Sequence, residues 1–266
     1  MKPLFVTLAS LMILALPTSL NCQVIKLPTQ NRQIPIEISA KEGIEWLQKE
    51  QVYVARGNAL VRQGATTVSG NIISAWYTKD VSGKPKIFRI DANGDVRVQS
   101  AQQTAYGTHA VYVIKQNLLI LTGNPKLFSG TDSLAARDSL EFWAEKDLAI
   151  ARGAATVSKG ENRLRANVLT AHLGENKDKK TYIKLIEAYN DVLISTRGEI
   201  IRAERASYNL NTGIAKVEQN VRITRGDSQL NGDKGVVNLK TGVSQIFSSA
   251  GNQVRGFFQS PRENLK

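Results

Sequence analysis

The sequence predicts an all-β fold: an elongated, jelly-roll-like stack of antiparallel strand rungs around an apolar groove, produced by tandem duplication. Three observations predict it. Apolar and polar residues alternate, as in Ile34, Ile36 and Ile38 around Pro35 and Glu37. Turn-forming pairs recur. A five-residue unit returns six times at spacings that themselves repeat. Composition agrees. The 266 residues are 42% hydrophobic and 22% charged, an ordinary globular balance, and Gly stands at 20 against Pro at 7. Proline breaks strand ladders, so its scarcity suits long paired strands.

The first segment reads as a targeting signal, residues 1–22. Lys2 supplies the charged start, Leu4 to Leu16 is a 13-residue uncharged run, and Pro17-Thr18-Ser19 ends it. A membrane-spanning helix needs about 20 apolar residues, so cleavage is expected over an uncleaved anchor. Ser19-Leu20-Asn21-Cys22 resembles a lipoprotein box except for Asn21, and Cys22 is expected to be removed or free before it is lipidated. A mature chain nearly without cysteine fits export.

The mature chain divides into a first β module at 34–152, a second at 153–255 and a tail at 256–266. Ala40 to Gln51 is either a short helix or part of two strands, with Trp46-Leu47 and Val52-Tyr53-Val54 as their cores. Asn93-Gly94, Asn211-Thr212-Gly213, Asn231-Gly232 and Lys240-Thr241-Gly242 are expected turns, because such pairs supply positive φ.

The repeat unit is a small or polar pair, then apolar, any, apolar. It begins at Gly57-Asn58, Gly94-Asp95, Gly123-Asn124, Gly153-Ala154, Asn190-Asp191 and Gln219-Asn220, with a degenerate copy at Gly251-Asn252. The second residues, 58, 95 and 124, return 96 positions later at 154, 191 and 220. Val61 meets Val157 at that offset, Ile90 meets Ile186, Tyr112 meets Tyr208 and Leu134 meets Leu230. The polar spacers Lys79–Lys86 and Glu175–Tyr182 coincide as well. Each module is therefore expected to hold three rungs of strand, turn and returning strand. None buries its apolar face alone, so the rungs must stack and leave open strand edges at both ends.

Enzyme chemistry is not expected. The two histidines, His109 and His172, lie off the repeat offset and read as surface or strand-end residues. Asp132 and Asp138 meet Ser228 and Lys234 at that offset, so no acid pair repeats. No nucleophile elbow, phosphate loop or dinucleotide fingerprint appears. With one cysteine and two histidines, no metal or other cofactor is expected. The net charge of +12 admits three readings: nucleic acid, an anionic glycolipid, or a solvated surface. Export and the lack of interleaved aromatics argue against nucleic acid.

Pro35-Ile36-Glu37-Ile38-Ser39-Ala40, Ala55-Arg56-Gly57-Asn58-Ala59-Leu60-Val61, Leu119-Ile120-Leu121-Thr122-Gly123-Asn124-Pro125 and Tyr208-Asn209-Leu210-Asn211-Thr212-Gly213 together resemble the OstA/LptA-like family over roughly 34–248. That resemblance implies a periplasmic β-jelly-roll carrying lipopolysaccharide from an inner-membrane export complex towards an outer-membrane receptor, with members joined head to tail. The lipid A moiety would sit in the apolar groove. The family also includes the membrane-anchored partner component. The other reading of the residues themselves is a structural or adaptor β-repeat protein without a ligand.

The expected lipid-binding positions are the period-2 apolar residues. Ile36 and Ile38 come from the first strand. Val61, Val98, Leu127, Val157, Ile194 and Ile223 come from the rungs, and Tyr112, Leu134, Phe142 and Tyr208 from the returning strands. The last rung, Gln245 to Phe258, carries Phe247 and Phe257-Phe258 without an acidic residue, and is expected to stay available for pairing with another chain's first strand. Folding back of Arg262 to Lys266 as a cap is the alternative.

Overall fold

The computed structural model describes residues 36–176, 181–238, 241, 243–249 and 251–258. The expected signal segment with Cys22, Ile34, Lys240, Gly242 and the cap at 262–266 lie outside them. Among the described residues eighteen strands follow one another. The first nine are β1 (Glu37–Ser39), β2 (Gly43–Leu47), β3 (Val52–Gln63), β4 (Thr66–Lys79), β5 (Pro85–Gln99), β6 (Gln103–Val113), β7 (Leu118–Thr122), β8 (Lys126–Ser129) and β9 (Asp132–Ala135). The rest are β10 (Ser139–Trp143), β11 (Leu148–Lys159), β12 (Asn162–Glu175), β13 (Thr181–Ser195), β14 (Ile200–Asn209), β15 (Ile214–Arg225), β16 (Ser228–Asn238), β17 (Val243–Phe247) and β18 (Arg255–Phe257). The only helices among the described residues are two single 3-10 turns, Ile114–Gln116 and Ala144–Lys146.

The segment with a helical alternative forms two strands. Trp46 pairs with Tyr53 across a β2–β3 hairpin, their rings stack 5.6 Å apart, and Trp46 Nε1 donates to the Tyr77 hydroxyl at 2.9 Å. Neighbouring rungs all pair antiparallel. Four rungs are broken in two: β1 and β2 both pair with β3, β7 and β8 with β6, β9 and β10 with β11, β17 and β18 with β16.

The repeat unit does a different job from the expected one. Five of the six copies lie in the middle of a strand, not at the start of a rung, and are β-bulges, while Gly123-Asn124 falls at the break between β7 and β8. Ladder register slips between Arg56 and Ala59, Asn93 and Val96, Arg152 and Ala155, Tyr189 and Val192, and Glu218 and Val221. Both residues of each unit have positive φ, from 75° and 47° at Gly94-Asp95 to 66° and 54° at Gln219-Asn220. Asn93-Gly94 and Asn231-Gly232, expected as turns, sit inside β5 and β16, the first at the bulge and the second without positive φ. A bulge inserts one unpaired residue, bends the strand and increases its twist. With a bulge at the same height in alternate rungs, the sheet bends along one line. The strand, turn and returning strand expected for each rung are instead one long strand, or two strands in line, crossing this corner. By contrast, Asn209 to Gly213 is the hairpin turn expected: Asn209 Oδ1 accepts from the backbone of Asn211 and Thr212, both at 3.0 Å.

The fold line sets the core. One buried cluster joins Ala55, Ile73 and Ala92 from one side of the corner to Ala59, Val61 and Val98 from the other, so the two halves face each other. A second cluster repeats this with Ala151, Leu169 and Ala188 against Ala155, Ile194 and Ile223. Leu140 packs against both. The boundary expected at 152/153 falls at the bulge of β11, inside the continuous ladder.

Candidate functional site

The inner surface is built from cross-strand neighbours, because residues in register on antiparallel strands share a face. Starting from Ile38, one row runs Val61, Val68, Val98, Ala105, Leu127 and Leu134. It continues through Val157, Leu164, Ile194, Ile201, Ile223 and Leu230 to Gly256. No polar residue interrupts it. Eight of the twelve sequence-predicted positions lie in this row: Ile38, Val61, Val98, Leu127, Leu134, Val157, Ile194 and Ile223.

Across the corner a second row runs from Tyr53 through Ala75, Ile90, Tyr112, Leu119, Phe142, Ala149, Ala171, Ile186, Tyr208 and Ala215 to Val237. It holds Tyr112, Phe142 and Tyr208. Ile36, just before β1, packs against the first cluster with Ile38, and both remain only partly buried. The structure thus brings all twelve predicted positions to one inner surface. Sequence reading missed Val68, Ala105, Leu164, Ile201 and Leu230 as members of the first row. The 96-residue offset carried the signal, since Val68 answers Leu164 and Ala105 answers Ile201.

The interior is tightly filled at its middle, where Val98 and Ala59 are fully buried. Burial pushes the Tyr112 phenol up to about 12, and its hydroxyl donates to Asn117 Oδ1 at 3.1 Å. Burial raises Tyr208, its counterpart in the second module, in the same direction. Neither phenol ionises at neutral pH, so the surface stays uncharged there. Polar residues take over at the hairpin rim. Gln103 and Glu199, 96 positions apart, are both buried with side-chain oxygens that accept no hydrogen bond among the described residues. Burial raises the Glu199 carboxyl, opposed by Arg225, whose Nη2 lies 3.7 Å away.

The outer surface carries most of the ion pairs, while Glu199–Arg225 and Asp132–Lys159 lie at the rim in phase with the inner row. His172 lies within β12, not at a strand end, with Nε2 2.8 Å from Glu187 Oε2, and His109 lies within β6. Asp132, one of the two acids flanking a turn, pairs with Lys159 at 3.5 Å, while Asp138 sits at the corner beside Arg137. Among the described residues no cluster of three His, Cys, Asp or Glu could hold a metal, and no helix is long and apolar enough to cross a membrane.

Among the described residues both sheet ends are open: β1 and β2 pair only with β3, and β17 and β18 only with β16. Each end exposes large apolar side chains: Ile44 and Trp46 at the first, Val243, Phe257 and Phe258 at the last.

No curated protein matches the chain. Among solved structures, the crystal structure of LptH from Pseudomonas aeruginosa, described as the LptA homologous periplasmic component of the lipopolysaccharide transport device, aligns at 13% identity. The alignment covers 86% of this chain and 98% of that one, with a TM-score of 0.22, too low for the superposition to carry an argument. The family described as LptA/(LptD N-terminal domain) LPS transport protein matches twice in tandem, at 37–138 and 135–243. The two matches together span most of the chain, and the chain belongs to that lipopolysaccharide transport family.

Proposed function

We propose that the protein carries lipopolysaccharide across the periplasm, with the acyl chains of lipid A held between the two inner rows. The observation that carries this reading is the unbroken apolar row from Ile38 to Gly256, which crosses both modules without a polar residue. A packed core needs apolar patches. A lipid path needs them continuous from one open end to the other, and the row meets that stricter requirement. Membership of a lipopolysaccharide transport family supports the choice of lipid.

The same reading gives the protein its place between an inner-membrane anchored partner and an outer-membrane receptor. The open, apolar edge strands support head-to-tail joining, either to those partners or to a second copy. Backbone pairing of a final rung with a first strand would continue both the sheet and the row. The charged start and short apolar run at residues 1–22 support export to the periplasm.

A ligand-free adaptor is the second reading, favoured by the complete burial of Val98 and Ala59. Photo-crosslinkers at Ile36, Ile38 and Glu37 separate the two. The lipid reading expects lipopolysaccharide to be captured at Ile36 and Ile38 and not at exposed Glu37. Equal capture at Glu37 would undo the assignment of inside and outside. Protein isolated from envelopes that carries no lipid and rejects added lipid A would leave the adaptor.

A further inference from the structure

The two outward faces of the folded sheet differ in charge. On the face made by the strand halves that carry β2, β7, β10 and β17, acids are interleaved with the cations and neutralise several of them, while Arg205, Lys216 and Lys234 are exposed and in no ion pair among the described residues. Arg56 pairs with Glu45, Arg89 with Asp91 and Arg152 with Glu141, and the His172 ring is hydrogen-bonded to Glu187. The carboxylates of Asp91 and Glu141 accept bonds at 2.9 and 2.7 Å from their arginine partners, and Glu187 Oε2 lies 2.8 Å from His172 Nε2.

Along the opposite outward face the cross-strand row has no such pairing among the described residues, the Arg197–Glu161 pair lying beyond it at the hairpin ends. The row begins Ser39, Leu60, Ser69, Arg97, Tyr106, Lys126 and Ala135. It goes on through Thr156, Arg165, Leu193, Arg202, Arg222 and Asn231 to Arg255. Six of these residues are cations, all exposed, and none is acidic. Among the described residues none of the six takes part in an ion pair. Asp95 and Asp191 lie near the row at the corner, and Asp191 is held by the Asn167 amide at 3.1 Å. Six cations and no acid are thus drawn out in one line along the protein.

The geometry points to a linear acidic polysaccharide, separate from the interior cargo, as the partner of this line. Strands lie about 4.8 Å apart, so the ten steps from Arg97 to Arg255 span about 48 Å. Sheets twist by about 20° per strand, which carries the line around the molecule by roughly 200° over that distance. A flat membrane would touch a few of these cations at a time, whereas a flexible chain can follow the twist. Five of the six are arginines, whose planar fork binds carboxylate or phosphate through two hydrogen bonds. Tyr106 and Phe128, edge to face at 6.0 Å beside Arg97 and Lys126, offer exposed ring surface to sugar faces. The inference stands whether or not the interior carries lipid.

Polygalacturonate, a linear carboxylated glycan, serves as the probe, with the full chain titrated by calorimetry at several salt concentrations. Six charge contacts predict that log K falls against log salt with a slope of about −4, taking the coefficient of single-stranded polyanions. Arg165→Gln, Arg202→Gln and Arg222→Gln combined should bring the slope to about −2 and weaken binding at least 30-fold at low salt. Because these side chains are exposed, the variant should keep its circular dichroism and melting temperature. Lys79→Gln, Lys86→Gln and Lys115→Gln remove the same charge elsewhere and should cost no more than about twofold. An equal loss in that control would reduce the effect to net charge and overturn the proposal. So would a wild-type slope near zero, or tighter binding to phosphatidylglycerol vesicles or oligodeoxythymidylate than to the glycan.

Discussion

Replacing Gly153 by alanine tests whether the corner line is what the repeat unit encodes. Gly153 has φ of +86°, and an added Cβ would lie 2.8 Å from the Asp138 backbone nitrogen as well as against its carboxylate. That nitrogen cannot retreat, because Asp138 N–H donates to Arg152 O at 3.0 Å and Arg137 N–H to Gly153 O at 2.7 Å. A left-handed backbone costs an L-residue about 1–2 kcal/mol. Forcing a methyl against fixed backbone adds about 1–3 kcal/mol. Gly153→Ala should therefore destabilise by about 3 kcal/mol. Gly160 supplies the control: it lies in the hairpin between β11 and β12, has φ of +56°, and a Cβ there meets nothing within 4 Å. Gly160→Ala should cost about 1 kcal/mol, the backbone strain alone. Denaturant midpoints compared at equal m-value read the difference. Equal losses for the two variants would refute the claim that corner packing, and not positive φ by itself, selects glycine at the unit.

The remaining predictions concern the rim, the module junction and the end. Burial raises the Glu199 carboxyl, so the folded state holds its proton more tightly than the unfolded chain and stability falls as pH climbs from the ordinary glutamate range through the raised folded value. Glu199→Gln, which copies Gln103 of the first module, should raise the melting temperature by a few degrees at pH 7 and leave it unchanged at pH 4, corresponding to about 1 kcal/mol; a gain of the same size at both pH values would mean the buried charge is not the cause. Leu140 is shared by both clusters, so Leu140→Ala should cost about 2–3 kcal/mol and broaden the thermal transition as the modules uncouple, whereas a sharp single transition would show the coupling lies elsewhere. Deleting 245–266 should leave a folded protein whose self-association, read by sedimentation, is lost; unchanged concentration dependence would mean the β17–β18 edge is not the joining surface.

The inner rows were legible because alternation is a local property of strands. Val61, Val98, Leu127, Val157, Ile194 and Ile223 each stand at the same offset inside the repeat unit, and the ladder needs only to keep them in register for them to form one line. Ala105 and Ile201 were harder to read. They sit on the strands between, which carry no copy of the unit, and alanine is a weak marker of an inward face. The charge line was illegible for a related reason. Arg165, Arg202 and Arg222 are 37 and 20 residues apart in sequence, and only the hairpin registers place them side by side.

The corner is where sequence reading and structure parted, and the cause is chemical degeneracy. Asn-Gly and Gly-Asn pairs supply consecutive positive φ values, and a tight hairpin and a strand bulge both require them. The residues alone do not choose between a chain that reverses and one that bends and goes on. The choice is written in the partner strands. On β4 the inward residues are Val68 and Gly70 before the corner but Ile73 and Ala75 after it, so the apolar phase slips by one. On β12 the slip recurs between Ala166 and Leu169. The bulged strands β3 and β11 keep their phase, as Ala55 with Ala59 and Ala151 with Ala155. A hairpin at the unit would impose no slip on its neighbour. A one-residue slip midway along every second strand, facing a unit of positive φ on the strands between, is therefore the amino-acid pattern that distinguishes a sheet folded along a line of bulges from a stack of hairpins.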